Sequence, residues 1–148
     1  SKIQEEFYVA GVATGSIAIG MLIAENLNKP FVYVRPEPKA HGTNKQIEGV
    51  IKKKVPVVVI EDLISTGKSS LNAVEALQKN GIDALGVFSI FNYDLEVSKI
   101  NFEKANQKFY SLSNFSTLVE CSKKFMEFSK GDIYKINEWK KNPNKWKT

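Results

Sequence analysis

The chain has 148 residues and a net charge of +5, with 43% hydrophobic and 25% charged residues. These values are typical of one soluble globular domain with a core of its own. No apolar run is long enough for a membrane span and no signal peptide opens the sequence, so we expect no membrane partner. The only cysteine, Cys121, cannot form an internal disulfide, which favours a cytoplasmic location, and we expect it to be a small buried residue.

Apolar runs alternate with helical patterns along the chain. The runs predict strands over residues 7–13, 31–34, 55–60, 84–91 and 109–112. Helical spacing of apolar residues predicts helices over residues 17–27, 94–107 and 118–128, and one from residue 71 to a stop at Gly81. Continuous apolar strands joined by helices predict an α/β fold, with a mainly parallel sheet of about five strands flanked by helices. We expect residues 1–148 to form this single domain.

Three polar segments follow predicted strands, over residues 11–16, 35–49 and 61–70. In open parallel sheets, ligands bind beyond the carboxyl ends of the strands. We therefore expect these three segments to converge on one edge of the sheet and to form the binding site.

The segment of residues 61–70 combines two acids with a small hydroxyl-rich turn. Its Gly-Lys-Ser triplet is not a nucleoside-triphosphate P-loop, because Asp62 stands where that motif needs glycine. The N–H groups of residues 65–69 lie at the predicted start of a helix, where the dipole favours a phosphate. Glu61 and Asp62 repel phosphate and suit neutral donors such as ribose hydroxyls. The segment predicts a ribose-5-phosphate site, with solvated acids and a serine N-cap as the alternative.

Several motifs carry a family resemblance. The run Val-Val-Val-Ile-Glu-Asp-Leu-Ile-Ser-Thr-Gly-Lys-Ser at residues 57–69 resembles the phosphoribosyl pyrophosphate signature of type I phosphoribosyltransferases. Tyr-Val-Arg-Pro-Glu-Pro-Lys-Ala-His-Gly at 33–42 and Gln-Ile-Glu-Gly at 46–49 resemble the mobile loop of the orotate phosphoribosyltransferase family. Residues 10–17 and 87–96 are similar to that family's first substrate loop and its later strand and turn.

The resemblance implies a reaction in which orotate and phosphoribosyl pyrophosphate give orotidine 5′-monophosphate and pyrophosphate, a step of pyrimidine biosynthesis. It implies Mg²⁺ as cofactor, carried by the substrate pyrophosphate with no direct protein ligand, and a homodimer whose mobile loop acts in the neighbouring site. Lys39, His41 and Asp62 are implied to be catalytic. Arg35, Lys39 and His41 are implied to contact the pyrophosphate. Glu61 and Asp62 are implied to bind the ribose hydroxyls, and residues 65–69 the 5′-phosphate. The implied substrate-binding residues of this segment are Glu61, Asp62, Leu63, Ile64, Ser65, Thr66, Gly67, Lys68 and Ser69.

The segment of residues 35–49 also has the physical character of a mobile flap. It is polar, ends in glycine and is stiffened by proline, and it contains the only arginine and the only histidine of the chain. Lys39 and His41 can neutralise charge on a departing pyrophosphate in a closed site. His41 can also supply a proton, because an unperturbed histidine has a pKa of about 6.5. The alternative is a charged surface excursion.

Four residues depart from the pattern of the family. Pro36 stands where many relatives carry a second lysine, and Gly15 where some carry a lysine. Asn92 and Tyr93 replace an Asp-Arg pair that in some relatives assists the orotate carboxylate. The family also has an N-terminal hood before the residue numbered 1 here, and we expect weak substrate binding and slow turnover without it.

Two other functions remain as alternatives. One is a phosphoribosyltransferase that accepts a purine, which the sequence of the loop at residues 33–42 disfavours. The other is a sensor that binds phosphoribosyl pyrophosphate without turnover, against which the presence of both Lys39 and His41 speaks.

Residues 130–148 carry six lysines against two acids, together with both tryptophans. Basic residues interleaved with aromatic ones are typical of nucleic-acid binding. The favoured interpretation is a docked terminal helix, in which Ile133, Ile136 and Trp139 face the core while the lysines stay in water. We therefore expect no nucleic-acid partner.

Overall fold

The computed structural model describes residues 6–38, 45–125, 128–141 and 143 of the chain. Within these residues the elements are, in chain order, β1 (Tyr8–Val12), α1 (Ser16–Asn26), β2 (Phe31–Val34), β3 (Ile47–Glu48), β4 (Val57–Ile64), α2 (Lys68–Lys79), β5 (Ala84–Asn92), α3 (Glu96–Lys104), β6 (Phe109–Asn114), α4 (Phe115–Phe125) and α5 (Lys130–Lys141). None of these helices combines the length and the apolar character that crossing a membrane requires.

The strands form one sheet in the order β3-β2-β1-β4-β5-β6. Each neighbouring pair is parallel except β2 and β3, which are antiparallel. The predicted α/β fold with a mainly parallel sheet is confirmed. The sequence pattern indicated about five strands rather than six, because the two residues of β3 are too few to show an alternation.

The strand β4 is longer than its apolar run. It continues through Glu61 and Asp62 to Ile64, because its backbone stays paired with β5 over this stretch. The prediction ended the strand at residue 60, where the two acids interrupt the apolar pattern. The two acids are therefore strand residues, and neighbouring strand residues point to opposite faces of the sheet.

Apolar layers cover both faces of the sheet. Val57 and Val59 of β4 pack in one cluster with Leu77 of α2 and Phe102 of α3, whereas Ile60 packs in a second cluster beside α1. Burying one such side chain contributes about 1.5–3 kcal/mol. The two layers together hold the strand ends, and the loops that follow them, in fixed positions.

The C-terminal helix α5 docks at the edge of the sheet through Trp139. The centroid of its indole ring lies 5.5 Å from the ring centroid of Tyr93 and 5.1 Å from that of Phe115. Ile133 and Ile136 are half-buried beside it. The helix thus has the apolar face that its spacing predicts, although no residue of α5 is fully buried.

Cys121 is exposed on α4, so the prediction that it is buried is wrong. No residue of α4 is fully buried. Because this helix rests on the sheet edge instead of covering the core, a small apolar side chain finds no core position there.

Candidate active site

The direction of the sheet connections reverses between β1 and β4. The chain passes from β1 through α1 to β2 on one side, and from β4 through α2 to β5 on the other. In open α/β sheets, ligands bind in the crevice at such a switch point, beyond the carboxyl ends of the strands. Here the crevice is bounded by the loop of residues 13–15 after β1, and by the end of β4 with the turn that follows it.

Asp62 presents an exposed carboxylate at this crevice. Its Oδ1 accepts the backbone N–H of Leu63 at 2.8 Å. Its Oδ2 lies against Gly15, where a Cβ atom would overlap it. The absence of a side chain at Gly15 therefore leaves the room that the carboxylate occupies. The free lone pairs of an ionised carboxylate accept donors such as ligand hydroxyls.

Glu61, the neighbouring acid, is buried, with 4% of its surface exposed. Its Oε1 accepts the hydroxyl of Ser16 at 3.1 Å, and its Oε2 accepts the hydroxyls of Ser69 at 3.0 Å and Ser70 at 2.8 Å. A carboxylate has about four lone-pair positions. The three serines use most of this capacity and Glu61 also shares a hydrogen bond with Asp62, so the predicted contact between Glu61 and ribose stays a prediction and has little of the carboxylate left for it.

Burial is the largest influence on the acidity of Glu61. It raises the pKa of Glu61 above its ordinary value of 4.5, while the hydrogen bonds from the three serines lower it and the one with Asp62 raises it further. Because burial disfavours the charged form, the folded protein holds a proton on Glu61 to higher pH than the unfolded chain does.

This raised pKa predicts a pH-dependent stability difference between the wild-type protein and a Glu61→Gln variant. Glu61 binds its proton more tightly in the folded protein than in the unfolded chain, and this difference contributes to stability. The contribution is fully present below pH 4.5 and is lost as the pH rises through the folded pKa. The free energy of unfolding of the wild-type protein should therefore fall, relative to that of the variant, as the pH rises above 4.5. Urea unfolding across this range measures the difference, with the exposed Glu103→Gln as control. A free energy of unfolding of the wild-type protein that rises relative to that of Glu61→Gln over this pH range would contradict the raised pKa.

The turn of residues 65–69 leads into α2. Gly67 is its N-cap, with a φ of 79°, and a Cβ atom there would stand 2.6 Å from Cε2 of Phe102. Asn101, also on α3, donates from Nδ2 to the carbonyl oxygen of Thr66 at 2.9 Å. The N–H groups of the first turn have no acceptor within the helix. They and the helix dipole therefore form a place for an anion, held from behind by α3.

The predicted contact residues around this turn differ in the solvent exposure of their side chains. Those with exposed side chains are Ser65, Thr66, Lys68 and Ser69. Leu63 is 39% exposed, whereas Ile64 is 1% exposed and belongs to the core. The Ile64 carbonyl oxygen accepts the N–H of Tyr93 at 3.0 Å. Ile64 therefore supports the turn, and any ligand contact that it makes is limited to its backbone.

Arg35 follows β2 at the same edge of the sheet. The registers of β1 with β2 and with β4 end at Val34 and Ile60, and continuing them by one and two residues puts Arg35 and Asp62 at one level, two strand spacings or about 10 Å apart. The N–H of Arg35 donates to the Gln46 carbonyl oxygen at 2.9 Å, and Gln46 Nε2 donates back to the Arg35 carbonyl oxygen at 2.8 Å. These bonds close the base of the predicted flap. Lys39 and His41 lie outside the described residues, so their roles stay predictions.

Comparison with known proteins shows the family of this chain. No protein-family model matches the sequence. The chain is 45% identical over 139 residues to orotate phosphoribosyltransferase of Cytophaga hutchinsonii, covering 94% of this chain and 66% of that protein. It is 44% identical over 149 residues to orotate phosphoribosyltransferase of Listeria innocua, covering 98% of this chain and 71% of that protein. The chain belongs to the orotate phosphoribosyltransferase family.

A solved structure agrees with this family. The crystal structure of orotate phosphoribosyltransferase from Aeropyrum pernix superimposes with a TM-score of 0.67 at 28% identity, covering 78% of this chain and 63% of that one. The fold is that of the type I phosphoribosyltransferases. The chain spans slightly less than two thirds of the length of the Cytophaga relative.

Four further residues contribute to the site of this family member, and the sequence carries little signal for them. Ser16 and Ser70 are completely buried, and each donates its hydroxyl to Glu61. They close the segments of residues 11–16 and 61–70, but a single serine in a polar run shows nothing of its partner. Asn101 and Phe102 hold the turn from α3, about 35 residues further along the chain, so no local motif indicates them.

Proposed function

We propose that the full-length protein is an orotate phosphoribosyltransferase. It transfers ribose 5-phosphate from phosphoribosyl pyrophosphate to orotate and releases orotidine 5′-monophosphate and pyrophosphate, in pyrimidine biosynthesis. One observation carries the proposal. An exposed Asp62 carboxylate lies next to the amide-lined turn of residues 65–69 at the switch point of the sheet, in a chain 45% identical to a protein of that name.

In this proposal the first turn of α2 binds the 5′-phosphate and Asp62 binds the ribose. Charge-assisted hydrogen bonds from backbone N–H groups to a phosphate are worth roughly 1.5–3 kcal/mol each. As the bond from the anomeric carbon to pyrophosphate breaks, positive charge develops on the sugar, and the negative Asp62 stabilises that charge. The amides and the carboxylate therefore bind different parts of one substrate: the amides bind its phosphate and the carboxylate binds its sugar.

Arg35, Lys39 and His41 are proposed to bind the leaving pyrophosphate. Mg²⁺ is the proposed cofactor and neutralises part of the pyrophosphate charge when it is bound. In the described part of the chain, no cluster of three or more His, Cys, Asp or Glu side chains forms a metal-binding group. No protein ligand to Mg²⁺ is proposed, because the substrate pyrophosphate and water supply the oxygen ligands that this ion prefers.

The proposal extends to the assembly. We take residues 1–148 as the core domain of a cytoplasmic homodimer, in which the flap of one subunit acts in the neighbouring site, with no nucleic-acid or membrane partner. The family resemblance supports the dimer, and the single cysteine supports the compartment. Sedimentation of the full-length protein tests the dimer, and a monomer that retains full turnover would contradict a flap that acts in the neighbouring site.

One assay tests the activity. The full-length protein is mixed with Mg²⁺, phosphoribosyl pyrophosphate and orotate, and the loss of orotate absorbance is followed. Steady loss of absorbance supports the proposal. Turnover of hypoxanthine or adenine without turnover of orotate would move the assignment to a purine enzyme. Binding of phosphoribosyl pyrophosphate without turnover of any base would favour the sensor.

The contact between Gly15 and Asp62 leads to a prediction for substrate binding. Gly15→Ala should raise KM for phosphoribosyl pyrophosphate by about three- to tenfold, because the new Cβ displaces the carboxylate. Stability should hardly change, since Gly15 has an ordinary φ of −58° and the displaced group is the exposed end of a side chain. Initial rates and thermal unfolding measure both effects. Gly131→Ala, where a Cβ has ordinary space, is the control. An unchanged KM would contradict the role of Asp62 in binding.

A further inference from the structure

Glu61 connects two helices that begin at opposite sides of the crevice. Ser16 is the first residue of α1, and Ser69 and Ser70 lie in the first turn of α2. All three donate their hydroxyls to the one carboxylate, at distances of 2.8 to 3.1 Å. We infer that Glu61 is a positioning residue, which holds the loop before α1 and the turn before α2 together as one anion-binding unit. The inference rests on the proposed function of this site.

The serines are placed where small movements matter. Ser16 directly follows the loop of residues 13–15, in which the Ala13 N–H donates to the Val34 carbonyl oxygen at 2.9 Å. This loop therefore lies beside Arg35, on the proposed pyrophosphate side of the site. Ser70 lies three residues after Gly67, on the 5′-phosphate side. A displacement of either helix start would change the separation between the two anion sites. One substrate, phosphoribosyl pyrophosphate, has to occupy both at once, so this separation determines how well it fits.

The chemistry of the cluster favours positioning over direct ligand binding. Ser16 and Ser70 are completely buried and Glu61 is 4% exposed, whereas Asp62 is exposed. Hydrogen bonds to an ionised acceptor are roughly twice as strong as neutral ones. The three serines and Asp62 together leave little of the carboxylate open to a ligand. The ribose contact therefore falls mainly to Asp62, and Glu61 acts mainly through the serines.

A positioning role predicts effects that cross from one side of the site to the other. Ser16→Ala, on the pyrophosphate side, should weaken binding of ribose 5-phosphate. Ser70→Ala, on the phosphate side, should weaken binding of Mg²⁺-pyrophosphate. We expect each cross effect to be about three- to tenfold in Kd, the range typical of residues that share a hydrogen-bonded network. The double variant should lose less than the product of the single losses, because both substitutions disrupt the same bridge.

Isothermal titration of the full-length protein with each ligand measures these effects. Ser98→Ala is a matched control, since Ser98 is 1% exposed in the first turn of α3 and its hydroxyl donates to the Leu95 carbonyl oxygen instead of to Glu61. Both affinities should be unchanged in this control. If Ser70→Ala does not fold, Ser69→Ala removes an exposed donor to the same oxygen and should weaken pyrophosphate binding in the same way.

The outcomes separate this inference from the proposed function. Losses confined to the ligand on each serine's own side, with a double variant that shows their product, would overturn the inference and leave the proposed function intact. A wild-type protein that binds neither ligand would overturn the proposed function, and the inference with it. Cross effects in the serine variants and none in Ser98→Ala would support both.

Discussion

Asp62→Asn is expected to lower kcat/KM for phosphoribosyl pyrophosphate by about ten- to a hundredfold, with little change in melting temperature. A hydrogen bond to a charged group is worth about 1.5–3 kcal/mol, and about 1.4 kcal/mol corresponds to a factor of ten. Asparagine keeps the size of the side chain and loses the charge that the ribose hydroxyls and the developing cation require. Because Asp62 is exposed, its charge contributes little to folding.

A second aspartate provides the control for this experiment. Asp83 is also exposed, but it precedes β5 at the amino edge of the sheet, where its carbonyl oxygen accepts the N–H of Val57 at 2.9 Å. Asp83→Asn removes the same charge from the protein at the edge opposite the crevice. Initial rates at saturating orotate should show a loss for Asp62→Asn only. Equal rates for both variants would show that the sugar is held elsewhere, with Glu61 as the remaining acid of the pair.

The general position of the site follows from sequence patterns that act over short distances. Apolar runs separated by helical spacing indicate a parallel sheet, and in such a sheet the polar segments after β1, β2 and β4 must meet at one edge. The run at residues 65–69 is likewise local, since its small residues precede a helix start. These features can be predicted without knowing the order of the strands in the sheet.

The division of labour between the two acids could not be predicted in the same way. With the strand ended at residue 60, Glu61 and Asp62 are equivalent loop carboxylates. In the structure β4 continues to Ile64, so alternation directs Asp62 to Gly15 and Glu61 to three serines. Whether β4 continues depends on its pairing with β5, about 27 residues away in the chain. Such pairing is a tertiary property and leaves no mark in the local pattern.

The rear support of the phosphate turn is tertiary for the same reason. Phe102 is 1% exposed and its ring centroid lies 4.5 Å from that of Phe109, so an apolar spacing on α3 predicts only that it is buried. That its ring also limits the space at Gly67 is visible only once α3 is packed beside α2. Glycine is therefore favoured at this position for two separate reasons, the backbone conformation and the neighbouring ring.

Gly67→Ala should destabilise the protein by about 2–5 kcal/mol and abolish most binding of ribose 5-phosphate. A left-handed conformation costs a residue with a Cβ about 1–2 kcal/mol, and Gly67 has a φ of 79°. Overpacking adds about 1–3 kcal/mol, because the Cβ would stand 2.6 Å from a Phe102 ring that is buried and cannot retreat. Any shift of the turn that relieves this overlap also moves the N–H groups that bind the phosphate.

Gly81→Ala separates the two costs, because it lies just beyond the other end of α2 with a φ of 73° and nothing within 4 Å of the position of its Cβ. It should lose about 1–2 kcal/mol from the left-handed conformation alone and keep its affinity for ribose 5-phosphate. Urea unfolding and titration of both variants measure the stability and the affinity. The difference between the two stability losses is the contribution of the Phe102 ring. Equal losses of stability would contradict the contribution of the Phe102 ring. A Gly67→Ala variant that binds ribose 5-phosphate as tightly as Gly81→Ala does would contradict the placement of the phosphate at this turn.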